Sequence, residues 1–400
     1  MNAFAVGGTV RATFTLAGAL AKRHDVEIVS VIRARTTPAL PPPAGVRLRA
    51  LTDLRPETLK RRPVHRWLHG LPTVLITSSD FRYVSFSLLT DIALLRFLAS
   101  VRDGVLIGTR PGLNIAIAHL ASVSVVRVGQ DHMNLDTYRP RLRGLIAESY
   151  GRLDLVTTLT ERDAADYRQL LAGRTPVVCF PNPAPDVGGR RATLDEKVVI
   201  AAGRLTRQKA FGRLVDAWGD VAPRHPDWRL RIFGEGPKRR SLRRRIRRRG
   251  VADSARLEGF TNRLHDELAG ASLFVMTSRR EGFPMVLLEA MGVGLPVVSV
   301  DCYTGPRDIV TDGVDGRIVP EEERAALVEA MSELMGDDRK RHAFGAAALE
   351  KVAQYDLALI AERWETQLAE RSAAKEGGRR SIAAPLISAI RWRTIEKAAR

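Results

Sequence analysis

Four hundred residues, 45% of them apolar and 27% charged, exceed what one hydrophobic core organises and exclude a disordered chain. The only two cysteines, Cys179 and Cys302, lie far apart, which argues against a disulfide framework or a cysteine zinc site and for a reducing compartment. A net charge of +18 asks for a phosphate-bearing partner, and nucleic acid, anionic lipid and a phosphorylated substrate all meet that demand.

In chain order, Gly7-Gly8-Thr9 and a helical stretch over 13–22 read as a glycine loop entering a first helix. Such a loop should follow a buried strand, and residues 1–6 are too few to supply one. The recorded start is therefore predicted to be late, with a natural first strand upstream. Strands are predicted over 26–31, 104–108, 123–128, 155–159 and 177–180, with helices over 113–120 and 161–171. This alternation implies a doubly wound parallel sheet. Residues 181–197 collect Pro, Gly, Asp and Arg and read as a linker.

A second series follows. Strands are predicted over 198–202, 230–233, 273–277 and 296–300, and helices over 211–221, 238–249 and 284–291. Leu357, Ile360, Trp364 and Leu368 then share one helical face that must pack on a domain. The expected division is a first Rossmann-like domain over 1–183 and a second over 184–355. A helix over 356–371 returns to the first, and a basic tail covers 372–400. No apolar run reaches the roughly 20 residues that span a bilayer, and no basic-then-apolar leader is read, so a cytoplasmic protein is expected.

Two segments carry chemistry. In EGFPMVLLE, Glu281 precedes a helix and Glu289 sits two turns inside it; Pro284 suits the first turn, where a missing N–H costs nothing. The free N–H groups of Gly282 and Phe283 then face ligand oxygens at the positive end of the helix dipole. In GRLTRQK, Gly203 ends a strand, and Arg204 and Lys209 share a loop able to clamp a diphosphate. Phe233-Gly234-Glu235 and Gly259-Phe260-Thr261 run into loops at the same sheet edge, the latter a wall for a nucleobase. Residues 301–310 form another loop and helix start there.

The series GRLTRQK, FGEGP, LEGFT, EGFPMVLLEAMGVGLPVVS, GPRDIV and DGVDGRIVP, in this order between residues 203 and 320, resembles the donor domain of glycosyltransferase family 4. The resemblance implies a GT-B fold, two Rossmann-like doubly wound domains facing across a cleft, and a UDP- or GDP-linked sugar donor. It also implies retention of anomeric configuration with no metal ion required. By resemblance Arg204 and Lys209 hold the donor diphosphate, Glu281 contacts the sugar and Glu289 the ribose. Gly203, Gly234, Gly259, Phe260, Thr261, Gly282, Phe283 and Pro284 line the donor. In the first half Gly7 and Gly8 match a loop that approaches the donor phosphate, and His132, after Gly129-Gln130-Asp131, matches a histidine near the transferred sugar. Asp308 stands where the family usually has glutamate.

The implied reaction moves sugar to a hydroxyl of a glycan, a polyol phosphate or a lipid-linked acceptor. The setting would be bacterial cell-surface polysaccharide, teichoic-acid-like polymer or glycolipid synthesis. A GT-B epimerase or phosphorylase, and a non-catalytic basic binding protein, are the alternatives. Residues 238–249 hold nine basic side chains in twelve, with Leu242 and Ile246 as a buried stripe. This helix, and a tail combining Leu386, Ile387 and Ile390 with Arg391, Trp392 and Arg393, suit contact with the inner face of an anionic membrane. No specific nucleic acid is expected.

Overall fold

A computed structural model describes residues 2–4 and 7–379. The chain divides into two compact units. One holds the described residues up to Thr158, Ala164–Cys179 and those from Ala361 on; the other holds Leu159–Asp163 and Phe180–Ile360.

The first unit opens with α1 (Gly8–Leu20), β1 (Val26–Arg33), β2 (Val46–Asp53), α2 (Pro56–Arg61), α3 (Pro63–Gly70) and α4 (Leu88–Ser100). It continues with β3 (Val105–Gly108), α5 (Pro111–Leu120), β4 (Val126–Gln130), α6 (Pro140–Ser149) and β5 (Leu155–Thr158). Then come α7 (Glu161–Leu171) and β6 (Val177–Cys179). β1 and β2 form a parallel pair from Val26↔Val46 to Arg33↔Asp53, and β3-β4-β5-β6 form a separate parallel sheet. α1 lays Val10, Phe14 and Ala17 against Ile28 of β1, and the Ala3 N–H donates to Ser30 Oγ at 3.0 Å.

Three readings shift here. α1 begins at Gly8, so Gly8 and Thr9 are first-turn residues and only Gly7, the N-cap, belongs to a loop. β4 starts at Val126, because the Val125 N–H closes a turn onto Ser122 O while Ser122 and Ser124 bond each other through their hydroxyls. The strand consequently runs through Gly129 and Gln130, and the loop begins at Asp131. β2 and α2 to α4 were not read from sequence at all.

The second unit starts with β7 (Val198–Ala202), α8 (Phe211–Val221), β8 (Arg229–Phe233), α9 (Arg239–Arg248), β9 (Ala255–Gly259) and α10 (Leu264–Ala269). After these come β10 (Leu273–Met276), α11 (Met285–Gly292), β11 (Val297–Asp301), α12 (Pro306–Ile309) and β12 (Gly316–Pro320). It closes with α13 (Arg324–Gly336), α14 (Asp338–Ala353) and the start of α15 (Leu357–Arg379). Six parallel strands run in the order β12-β11-β10-β7-β8-β9. The central β7 and β10 are apolar on both faces, as buried parallel strands must be, with Val199, Ile200, Leu273 and Phe274 fully covered.

Each face has its own core. Trp218 of α8, Leu242 and Ile246 of α9 and Met331 of α13 join one cluster. Leu268 of α10, Leu287 and Met291 of α11 and Ala348 of α14 join the other. Burying such side chains contributes roughly 1.5–3 kcal/mol each. In α9 only Leu242 and Ile246 are buried, as its spacing predicts. From Ala361 on, α15 belongs to the first unit, where Trp364 is buried, Glu365 pairs with Arg23 and Lys375 with Asp154. The membrane-contact residues read in the tail lie outside the described residues.

Candidate active site

The chain leaves β7 toward β8 and β9, then returns to β10 on the other side of β7 and proceeds outward to β11 and β12. The strand order reverses between β7 and β10, and a crevice outside their carboxyl ends is where open α/β sheets bind ligands. The loops that follow these two strands are residues 203–210 and 277–284.

Gly203 follows β7 with φ 153°, and its N–H donates to Phe233 O at 3.0 Å. The stem of Lys209 folds back over it, so a Cβ on Gly203 would lie 3.4 Å from Lys209 Cε. The two loops are laced together: the Arg279 N–H donates to Gln208 O at 2.8 Å, and Gln208 Nε2 donates to Arg280 O at 2.9 Å. Thr277 Oγ1 donates to Lys209 O at 3.3 Å. The result is that Lys209 Nζ donates to Glu281 Oε1 at 2.6 Å, with Glu281 only 9% exposed. Arg204 is exposed on the same loop and has no acidic partner among the described residues.

The glycines serve close packing of backbone on backbone. A Cβ on Gly234 would sit 1.9 Å from Gly203 O, and the Gly234 N–H donates to Gly259 O at 2.6 Å. Gly259 has φ 88°, the left-handed region that favours glycine. Phe260 is 79% exposed beyond it, and Thr261 Oγ1 accepts from the Arg263 N–H at 3.0 Å.

α11 begins at Met285, so Pro284 is its N-cap and not a first-turn residue. Pro284 and Gly282 O pack against Gly305, whose φ of 95° tolerates no side chain cheaply. The Phe283 ring is a core group, 5.9 Å from the Tyr355 ring. Glu289, on the second turn of α11, is nearly buried with Oε1 3.8 Å from His265 Nε2. Asp308 accepts from the N–H groups of Gly305 and Glu161, and burial raises its carboxyl above the usual range.

Sequence reasoning passed over three groups here. His265 faces Glu289, Thr304 Oγ1 donates to Glu281 O at 2.9 Å, and Ser278 Oγ is buried with no hydrogen-bond partner among the described residues. None belongs to a motif with an evident polar role. Burial, assisted by the charge of Glu281, pushes the Cys302 thiol up to about 12, so it stays protonated and is no nucleophile.

Gly7, Gly8 and His132 belong to the first unit. His132 Nε2 is buried without a hydrogen-bond partner among the described residues; burial first, then the Arg110 charge, lowers its pKa to about 4, leaving a neutral imidazole at pH 7. Beside it Asp131 accepts from the hydroxyls of Tyr150 and Tyr167 and from Asn114 Nδ2. Burial nevertheless pushes its pKa up to about 7, the two tyrosine bonds pulling the other way.

Residues 189–351 match the model of the family described as glycosyl transferases group 1. Over 285 residues the chain is 30% identical to the amylovoran biosynthesis glycosyltransferase AmsD of Erwinia amylovora, covering 68% of this chain and 79% of that protein. The chain belongs to the group 1 glycosyl transferases. This glycosyl transferase is also 35% identical over 391 residues to an exopolysaccharide phosphotransferase of Streptomyces coelicolor, a match over 94% of its own length and 40% of the relative's. It thus spans less than half of that relative. The crystal structure of Anabaena HepE in complex with UDP has a TM-score of 0.71 at 15% identity, covering 92% of this chain and 97% of that one. The fold of this glycosyl transferase is GT-B, with parallel sheets in Rossmann-like units.

Proposed function

We propose that this group 1 glycosyl transferase is a retaining hexosyltransferase of family 4, acting in bacterial cell-surface polysaccharide, teichoic-acid-like polymer or glycolipid synthesis. It moves a sugar from a UDP- or GDP-linked donor to an acceptor hydroxyl. The observation that carries the reading is the Lys209–Glu281 pair at the strand-order reversal, with unpaired Arg204 on the same loop. Names of the relatives point to polysaccharide assembly, and the UDP held by HepE favours a uridine donor. Membership of a transferase family favours transfer over epimerisation, phosphorolysis or bare binding.

In this reading Arg204 and Lys209 offset the charge that builds on the departing diphosphate, the work a metal ion does elsewhere. Lys209 exchanges part of its bond to Glu281 for the diphosphate, which frees Glu281 to accept from a sugar hydroxyl. Glu289 accepts from the ribose diol. The bond from the anomeric carbon to the diphosphate oxygen breaks and the acceptor oxygen bonds that carbon on the same face. The hydroxyl proton passes to the leaving phosphate.

A screen of UDP, GDP and ADP sugars read by nucleotide release, with NMR of the product anomer, tests the reading. Release from a uridine or guanosine donor with retained configuration is expected. An inverted product refutes the family 4 assignment, and calorimetry showing no nucleotide binding refutes the transferase reading. The exposed arginines of α9 are proposed to hold the protein to an anionic cytoplasmic membrane face. Equal sedimentation with neutral and anionic vesicles would refute that contact.

A further inference from the structure

Between the first turn of α8 and the length of α9 lies a half-open groove of about 310 Å³. Phe211 and Leu242, both members of the core on that face, line it with the hydroxyls of Thr206 and Ser241. Its remaining polar lining is cationic: Arg207, Arg213, Lys238, Arg245, Arg248 and Arg279. No carboxylate lines it. Arg245 reaches Asp216 at 3.3 Å and Arg213 reaches Glu321 at 2.9 Å, but Arg213 NH1 is buried without an acceptor among the described residues. Arg207, Lys238, Arg248 and Arg279 have no ion-pair partner among the described residues. Six cations against two counter-carboxylates leave charge that a multivalent anion would relieve.

The groove is not the donor crevice. None of Arg204, Lys209, Glu281 and Glu289 lines it, and Glu289 rises from α11, which packs on the opposite face of the sheet. The two sites meet only through shared loops, since Arg207 lies between Arg204 and Lys209, and Arg279 two residues before Glu281. The backbone is shaped for the groove. Ala210 enters α8 with φ 48°, a left-handed conformation costly for alanine, and the first turn carries Gly212 where the Arg245 guanidinium lies. A Cβ at Gly212 would come within 2.1 Å of Arg245 NH1. Free N–H groups of that turn add to the positive field.

We propose that this groove is a second phosphoryl site, taking the phosphate or diphosphate of an ester whose carbon part rests on Phe211 and Leu242. Planar guanidinium forks suit bidentate contact with phosphate oxygens, and the volume suits a small ester. The proposal does not depend on the transferase reading.

Calorimetry of the full chain with inorganic pyrophosphate, at ionic strength matched with sodium chloride and with UDP in excess, tests it. Lys209→Ala serves as a second background in which the donor crevice is impaired, so that failure of UDP to bind would count against the transferase reading only. One pyrophosphate site is expected to remain in both backgrounds. The double variant Lys238→Ala/Arg248→Ala should weaken it at least tenfold, and Gly212→Leu should abolish it by filling the space. Arg279→Gln, at an exposed position, should weaken it several-fold even if the others fail to fold. Glycerol phosphate and vesicles with or without phosphatidylglycerol then separate a soluble ester from a lipid headgroup, and displacement of either by pyrophosphate supports the site. Absence of the extra site, or binding unchanged in folded variants, overturns the proposal.

Discussion

Replacing Lys209 tests whether its bond to Glu281 is structural, catalytic or both. At 2.6 Å the gross attraction is about 6 kcal/mol at an effective dielectric near 20. Desolvation offsets most of that, because Glu281 is 9% exposed and the lysine side chain 22%. A charge-assisted hydrogen bond in such a setting contributes about 1.5–3 kcal/mol net. Lys209→Met takes the cation away from a nearly buried carboxylate, so it should cost about 2–3 kcal/mol of stability, whereas Lys209→Met/Glu281→Gln should recover most of the loss.

Urea unfolding of the native chain, Lys209→Met, Glu281→Gln and the double variant, the four corners of one cycle, should give a coupling of about 2 kcal/mol. Thermal midpoints should shift by about 4–8 °C for a unit of this size. Turnover separates the two roles. The stability-restored double variant should still transfer sugar about 100- to 1000-fold more slowly, as expected when a donor to a developing negative charge is lost. A coupling below about 0.5 kcal/mol would show the pair to be structurally idle. Near-normal turnover in the double variant would remove both residues from the chemistry.

Three further outcomes follow from the same geometry. Glu289→Gln should raise the donor KM about tenfold or more with kcat within a few-fold, since a carboxylate bond to a ribose diol is made equally in ground and transition states; a fall in kcat alone would refute the ribose role. Asp131 has its pKa pushed up from the usual 3.8 to about 7 in the folded chain, so the native state keeps a proton that the unfolded state releases. Its contribution to stability is therefore full below about pH 4 and declines as pH rises toward 7; Asp131→Asn should flatten that decline in urea midpoints measured at pH 5 and 7.5, and an unchanged slope would refute the account. Ala210→Gly should stabilise by up to about 1 kcal/mol by relieving the left-handed alanine, and a lower melting temperature would show that φ 48° is not strained.

How much of this was legible from the residues alone depends on how local each signal is. β7 and α8 were read at their observed bounds, because an all-apolar run followed by a strongly one-sided helix leaves little ambiguity. β2 was missed although Pro41-Pro42-Pro43-Ala44-Gly45 marks its start, because its half-exposed sequence VRLRALTD places arginines at alternate positions and holds no continuous apolar run. Within the site, Gly203, Arg204, Lys209, Glu281 and Glu289 were all singled out by type and position, yet nothing local says that Lys209 meets Glu281. They are 72 residues apart, and the meeting is imposed by β10 lying beside β7 while β8 and β9 fill the other side. Strand order is a property of the whole sheet, so a motif can name the participants of a site without stating which of them touch. The cationic groove shows the same limit from the opposite direction. The arginines of α9 read as a membrane patch, and only the packing of α9 on α8, where Gly212 admits the Arg245 guanidinium, shows that part of that face borders a groove. Charge was visible in the sequence, but the groove that gathers it, made by elements packing from two stretches of chain, was not.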